Sequence, residues 1–197
     1  MGSRNRQRAG WIAIAALTAA IGASPTTVMG ARAGEPVTGA PQVVVLDAPP
    51  AAFRLASWAV GRFGEAGLEI PPTEVHFHAD DRGCSGYLGF TQADRVDLCV
   101  RLEMEAGPRR LVLHELAHAW AASFLDDECR GRFLELRGLD AWAGEGVAWK
   151  QRGAEQAAEI TAWALGDGTM EPMIDGDRDP LVLRAAFELL HTGCQPS

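Results

Sequence analysis

The chain has 197 residues, 47% of them hydrophobic, 22% charged and 7% aromatic, the balance of an ordinary globular protein and not of a collagen, a coiled coil or a low-complexity tail. Its 18 basic residues face 26 acidic ones for a net charge of -8, which speaks against nucleic acid as a partner, because a phosphate backbone requires a basic surface.

Residues 1–33 read as a secretory signal. They hold Arg4, Arg6, Arg8 and Arg32 and no acid, an apolar run of 11 residues from Trp11 to Ile21, and the small-residue pattern Ala31-Arg32-Ala33 that precedes a cleavage point. A membrane-spanning helix needs about 20 apolar residues, and Gly22, Ser24 and Pro25 interrupt this run too soon. No membrane span is therefore expected once the signal is removed. Adjacent arginines are absent, so the twin-arginine route has no support. Cleavage after Ala33 leaves residues 34–197, which is 164 residues at a net charge of -12. That length suffices for one domain burying about 70% of its unfolded surface.

Gly34 to Pro41 is a lead-in, and Val43 to Leu46 is a short β-branched run stopped by Asp47-Ala48-Pro49-Pro50. Ala51 to Ala66 places Phe53, Ala56, Val60 and Phe63 at helical spacing, with Arg54 and Arg62 off the stripe. After Pro71-Pro72, Glu74 to His78 alternates like a strand, and Tyr87 to Phe90 and Arg95 to Leu102 read as two more strands around a polar turn at Gln92 to Asp94. Gly107-Pro108 then opens a helix that runs without a breaker from Arg109 to Leu125. Shorter helices are expected at Arg130 to Arg137, Ala154 to Leu165 and Leu181 to His191.

All four cysteines, Cys84, Cys99, Cys129 and Cys194, lie beyond the signal, with no C-x-x-C pair. An even set in an exported chain points to disulfides. Of the three connectivities, Cys84 to Cys99 with Cys129 to Cys194 is favoured, because the first pair brackets a strand-turn-strand unit. A cysteine zinc site would need closer spacing.

The chemistry is carried by His114-Glu115-Leu116-Ala117-His118, an H-E-x-x-H motif inside the long helix. With five histidines and 14 glutamates in the chain, chance would produce about 0.01 such motifs. At 100° per residue, the two histidines sit one turn apart and about 40° offset, so two imidazole nitrogens can meet on one zinc ion. Glu115 is turned aside from that pair. It is thereby placed to take a proton from the water that zinc activates, whose pKa falls from 15.7 to about 7.

A catalytic zinc requires a third protein ligand and an open position. The metzincin pattern calls for Gly at 121 and His at 124, where this chain has Ala121 and Phe124. Downstream, Glu155-Gln156-Ala157-Ala158-Glu159 offers two carboxylates on one face of an alanine-rich helix. At least one of them should face the core, where a charge must be paired or metal-bound. Glu145, between Gly144 and Gly146, is an alternative ligand in a glycine-flanked loop.

His114 to His118 followed by Glu155 to Glu159 resembles the gluzincin type of zinc metallopeptidase, and E-x-x-A-E is similar to the pattern of the lethal-factor-like peptidases. The stretch from Leu111 to Leu165 also resembles small exported bacterial proteins of unknown function. The resemblance implies Glu155 as third zinc ligand, with Glu159 one turn on, behind a ligating histidine or as the alternative ligand. Lethal-factor-like enzymes carry a tyrosine before this helix that stabilises the oxyanion. Here Trp149, Lys150 and Arg152 stand in that region, which leaves Arg152 or Tyr87 for the role.

Other groups have plainer readings. His76 and His78 share one face of a strand, His191 sits at a helix end, where the dipole favours it, and Trp120, Trp142, Trp149 and Trp163 read as core packing. Asp175 to Asp179 imitates a calcium loop but has Ala186 where an EF-hand needs glutamate.

The expectation is an exported, disulfide-stapled, single-domain α+β protein with a zincin-like core of a small twisted sheet and an active-site helix. It would be a zinc metallopeptidase, with one zinc per chain on His114, His118 and Glu155, Glu115 as general base, and a peptide or protein substrate. Arg95 to Val100 would serve as the edge strand that binds substrate backbone. The rival reading is a secreted zinc-binding interaction protein on the same scaffold without turnover.

Overall fold

A computed structural model describes residues 26–28, 43–46, 48–100, 106–192 and 194. Its five strands are β1 (Thr26–Val28), β2 (Val43–Leu46), β3 (Thr73–Phe77), β4 (Gly89–Gln92) and β5 (Arg95–Leu98), in the spatial order β1-β2-β3-β5-β4. β2, β3 and β5 run parallel, and β1 and β4 flank them antiparallel. The helices are α1 (Pro50–Glu65), α2 (Ala106–Phe124), α3 (Asp127–Arg137), α4 (Gly153–Leu165) and α5 (Pro180–Thr192). The chain is thus α+β with a mixed sheet. The expected signal falls largely outside the described residues. Thr26–Val28 lies upstream of the expected cleavage point and pairs with β2, so a chain cut after Ala33 keeps the four strands β2-β3-β5-β4.

Three of the helices are bounded by local chemistry. Pro50 opens α1 with its φ already set, and Gly67 at φ 73° follows the helix where the chain turns out of it. The buried face of α1 is Ala52, Ala56, Ala59 and Phe63, whereas Phe53 and Val60 are only partly buried. The alanines let the helix approach the sheet closely, and the larger neighbours fill its flanks. α3 begins at Asp127, earlier than the expected Arg130, because the Asp126 side chain accepts a hydrogen bond from the Cys129 amide at 2.8 Å and so caps the helix. Gly138, at φ 63°, closes it in the left-handed conformation. The acidic turn before α5 also proves to be a cap: Asp179 accepts from the Leu181 amide at 2.8 Å, with Pro180 as the first helical residue.

α2 is the central element. It lies over β4 and β5, touches α1, and makes its most extensive contact with α4. Val112, Leu113, Leu116, Ala117 and Trp120 are consequently all buried, and they join Val43, Val75, Val96, Phe63, Ile160 and Leu190 in one core. Alanines 117 and 121 on α2 and 157 and 158 on α4 are buried.

Both expected disulfides are present, Cys84 to Cys99 and Cys129 to Cys194. Their separations of 15 and 65 residues correspond to loop-closure contributions of about 3 and 4 kcal/mol. They suit an oxidising, extracellular environment. No helix among the described residues is long and apolar enough to cross a membrane.

The expected edge strand is corrected. β5 lies inside the sheet, between β3 and β4, and the edge beside α2 is β4. Hydrophobicity along β5 does not reveal this, because strand order is set by non-local pairing. Ala93, at φ 51°, and Asp94 turn the chain so that Gln92 pairs with Arg95, and this tight hairpin puts β4 on the outside.

Candidate metal centre

Three donor atoms converge between α2 and α4. Nε2 of His114 and Nε2 of His118 are 3.1 Å apart, and Oε2 of Glu155 lies 3.3 Å from the first and 3.1 Å from the second. A tetrahedral ion with ligand distances of about 2.0–2.1 Å has ligand-to-ligand edges of about 3.3 Å, so the donor set fits a metal ion in both chemistry and spacing. Among the described residues this is the only group of three such side chains whose donor atoms all lie within 4.8 Å of one another. His114 is buried, while His118 and Glu155 are partly open. The site is thus reached from one side.

Glu159 stands behind the donors. Its carboxylate, 2% exposed, is gripped by the Arg110 guanidinium through Nε and Nη2 and accepts from the Met173 amide at 3.0 Å. Its Oε1 is 3.1 Å from Nδ1 of His114, an ion-pair distance though not an aligned hydrogen bond. Between the two glutamates the structure therefore brings Glu155, not Glu159, to the histidine Nε2 atoms. A carboxylate already holding a guanidinium and an amide is kept away from them. Arg110, one turn before His114, was missed by sequence reasoning, although an arginine at i-4 from a motif histidine and facing an E-x-x-x-E helix is a usable signal.

Glu115 is buried and lies outside the donor group. Its carboxylate is 2.7 Å from the Thr91 hydroxyl, which is also 3.0 Å from the Glu115 backbone carbonyl. Gly89 leaves the space that carboxylate occupies, since a Cβ there would overlap it. Both residues belong to β4 and were not singled out from the sequence, although a glycine within a strand often marks close approach of another group. Gly89→Ala is expected to retain bound metal, because the three atoms nearest the added methyl all belong to Glu115 and not to a donor, and to cost some stability, because the buried Glu115 side chain must shift from its Cγ outward. It should also lower turnover by an order of magnitude or more. Parallel metal analysis and kinetics check both halves.

The electrostatics follow from burial set against pairing. Burial alone would push the His114 imidazolium pKa down, but the Glu155 and Glu159 carboxylates, 3.3 and 3.1 Å from its ring nitrogens, outweigh this and raise it to about 9. Burial would likewise raise both glutamates. The histidines, and at Glu159 also Arg110, hold each instead at about 2. In the chain without metal, the His114 contribution to stability is complete below its ordinary value of 6.5 and lost as pH rises through about 9. The glutamate contributions are complete above 4.5 and lost as pH falls through about 2. The metal-free protein should therefore melt highest between about pH 4.5 and 6.5 and lower at pH 9, and loading with zinc should remove the high-pH fall. Calorimetry with and without chelator reads this.

The donors lie in the wall of a cavity of about 1240 Å³. Tyr87 (64% exposed), Leu88 (71%) and Phe90 line it from β4 and the segment before it, and Trp149 and Met173 line it from segments flanking α4. Five of the eight large apolar side chains exposed among the described residues thus face one cavity, the mark of a binding surface. The Trp149 ring stacks on His114 with centroids 5.9 Å apart, so this tryptophan belongs to the site and not to the core. Trp142 also lines the cavity, whereas Trp120 and Trp163 are buried as expected. Tyr87 and Arg152 both line it.

Other candidates are not brought together with the donors. Glu145 is exposed and outside both the donor group and the cavity wall. His78 bonds Asp97 at 2.6 Å and His76 lies 3.3 Å from Glu74, and neither joins a metal-holding group of three. His191 is in the last turn of α5, its ring 5.7 Å from that of Phe187. No protein-family model, curated protein or solved structure matches this chain.

Proposed function

We propose that the protein is an exported metallopeptidase of the zincin type, hydrolysing peptide bonds with zinc held by His114, His118 and Glu155. The observation that carries this reading is the spacing of the three donors beside a separate buried carboxylate in the wall of an apolar cavity. A purely structural zinc site would take a fourth protein ligand and close itself off from solvent. The edge of β4 that does not face β5 adds support, because in most zincins an edge strand beside the active helix binds the substrate backbone by strand addition.

Zinc, when bound, supplies Lewis-acid polarisation of the carbonyl and a water that ionises near pH 7. The chain's own groups do the rest. Glu115 takes the proton as the water oxygen attacks the carbonyl carbon, then returns it to the amide nitrogen as the C–N bond breaks. The Thr91 hydroxyl holds that carboxylate in place. Glu159, anchored by Arg110, keeps the His114 ring from rotating. Tyr87, Leu88, Phe90, Trp149 and Met173 suit an extended peptide with apolar side chains.

The test is hydrolysis of a quenched-fluorescent library of extended apolar peptides by the zinc-loaded protein, with and without chelator. Metal-dependent cleavage supports the reading. No cleavage of any member by protein shown to carry zinc would reject it and favour the interaction protein.

A further inference from the structure

The charged groups of the cavity wall are unevenly matched. Glu155 faces the histidines, Glu159 holds Arg110, Glu115 takes the Thr91 hydroxyl, and Asp80 is gripped by Arg82. Two arginines of the same wall, Arg130 and Arg152, are left without a comparable partner. Arg152 donates Nε to the Val147 carbonyl at 3.0 Å and has no carboxylate within ion-pair distance among the described residues. The Nε of Arg130 is buried without an acceptor, and its Nη1 reaches only the fully exposed Asp127 at 3.4 Å.

The two arginines share a support. The Arg130 guanidinium lies over the Trp142 ring, 5.5 Å from its centroid. The backbone carbonyls of Ala141 and Trp142 accept from the amides of Gly153 and Ala154 at 3.0 and 2.9 Å, which seats that loop on the first turn of α4. Arg152, with extended backbone at φ -79° and ψ 132°, is the N-cap of that helix, three positions before Glu155. An acidic chain of net charge -8 thus presents, in the same cavity wall as its metal donors, one guanidinium with no carboxylate partner among the described residues, Arg152, and one whose ion pair is to the fully exposed Asp127, Arg130. A planar guanidinium with free N–H groups matches a carboxylate in geometry and charge.

We infer that Arg130 and Arg152 form a subsite for a carboxylate of the substrate, so that the cavity takes peptides carrying a free C-terminus or an acidic side chain beside an apolar residue. This names the substrate class of the peptidase proposed above and rests on that reading for its function, but the subsite can be tested by binding alone.

The experiment is calorimetric titration of the zinc-loaded Glu115→Gln protein with four probes: N-acetyl-Phe-Leu, its C-terminal amide, N-acetyl-Glu-Phe-Leu-amide and N-acetyl-Gln-Phe-Leu-amide. At least tenfold tighter binding of the first over the second identifies a C-terminal carboxylate, and of the third over the fourth an acidic side chain. Arg152→Gln and Arg130→Gln should each reduce that ratio to within about threefold, and Arg152→Lys should recover part of it. Equal binding of acid and neutral probes, no binding of either acid, or an acid preference that survives both glutamine variants would overturn the subsite. In the last case the metal itself is reading the carboxylate, which a repeat without metal shows directly. Failure of the parent protein to cleave any peptide would sink the peptidase reading and leave these ratios unaffected.

Discussion

Glu115→Gln is expected to lower peptide hydrolysis by about 10²- to 10⁴-fold, the range supplied by a positioned general base, while the protein keeps one zinc per chain. The amide is nearly isosteric and can still meet the Thr91 hydroxyl, 2.7 Å from the present carboxylate, so the packing around this buried position should survive. What is lost is the ability to take a proton. Elemental analysis beside initial rates separates the two effects. Full activity in a zinc-loaded Glu115→Gln protein would remove Glu115 from the mechanism, and loss of zinc would instead make it part of the metal site.

Glu155→Ala should abolish tight zinc binding, because it removes one of three donors whose atoms lie 3.1 to 3.3 Å apart. Glu159→Ala should cost less, about 10- to 100-fold in affinity, the usual effect of a group that orients a ligand without touching the metal. It carries a second cost. Removing that carboxylate strands the Arg110 guanidinium and the Met173 amide, and breaking a buried ion pair by deleting one partner destabilises by about 3–5 kcal/mol. The two variants should therefore separate: Glu155→Ala weak in metal but folded, Glu159→Ala lower melting yet still able to load. Competition titration with a zinc indicator and thermal unfolding read the two axes. The opposite order of affinities would move the third ligand to Glu159.

The local parts of this arrangement were legible in the sequence. His114 and His118 meet because residues four apart on a helix share a face, a relation that depends only on helical pitch. Glu155 and Glu159 were legible as a pair for the same reason, and the cysteine spacing favoured the pairing that the structure shows. Asp126 is a local N-cap signal that sets the start of α3 at Asp127, ahead of the expected Arg130. On α1 the large side chains of the apolar stripe, Phe53 and Val60, are only partly buried, because the tightest packing uses alanine.

The sequence by itself determined which residue types could hold a metal, and on which helices, since both facts follow from composition and a short-range period. Only the tertiary structure decided which glutamate turns toward the histidines. That choice depends on Arg110 and the Met173 amide arriving from elsewhere to saturate the other one. It also decided that β4, not β5, forms the edge beside α2 and supplies Gly89 and Thr91 to Glu115. Strand order and inter-helix contacts join residues far apart in the chain, and no local periodicity encodes such distances.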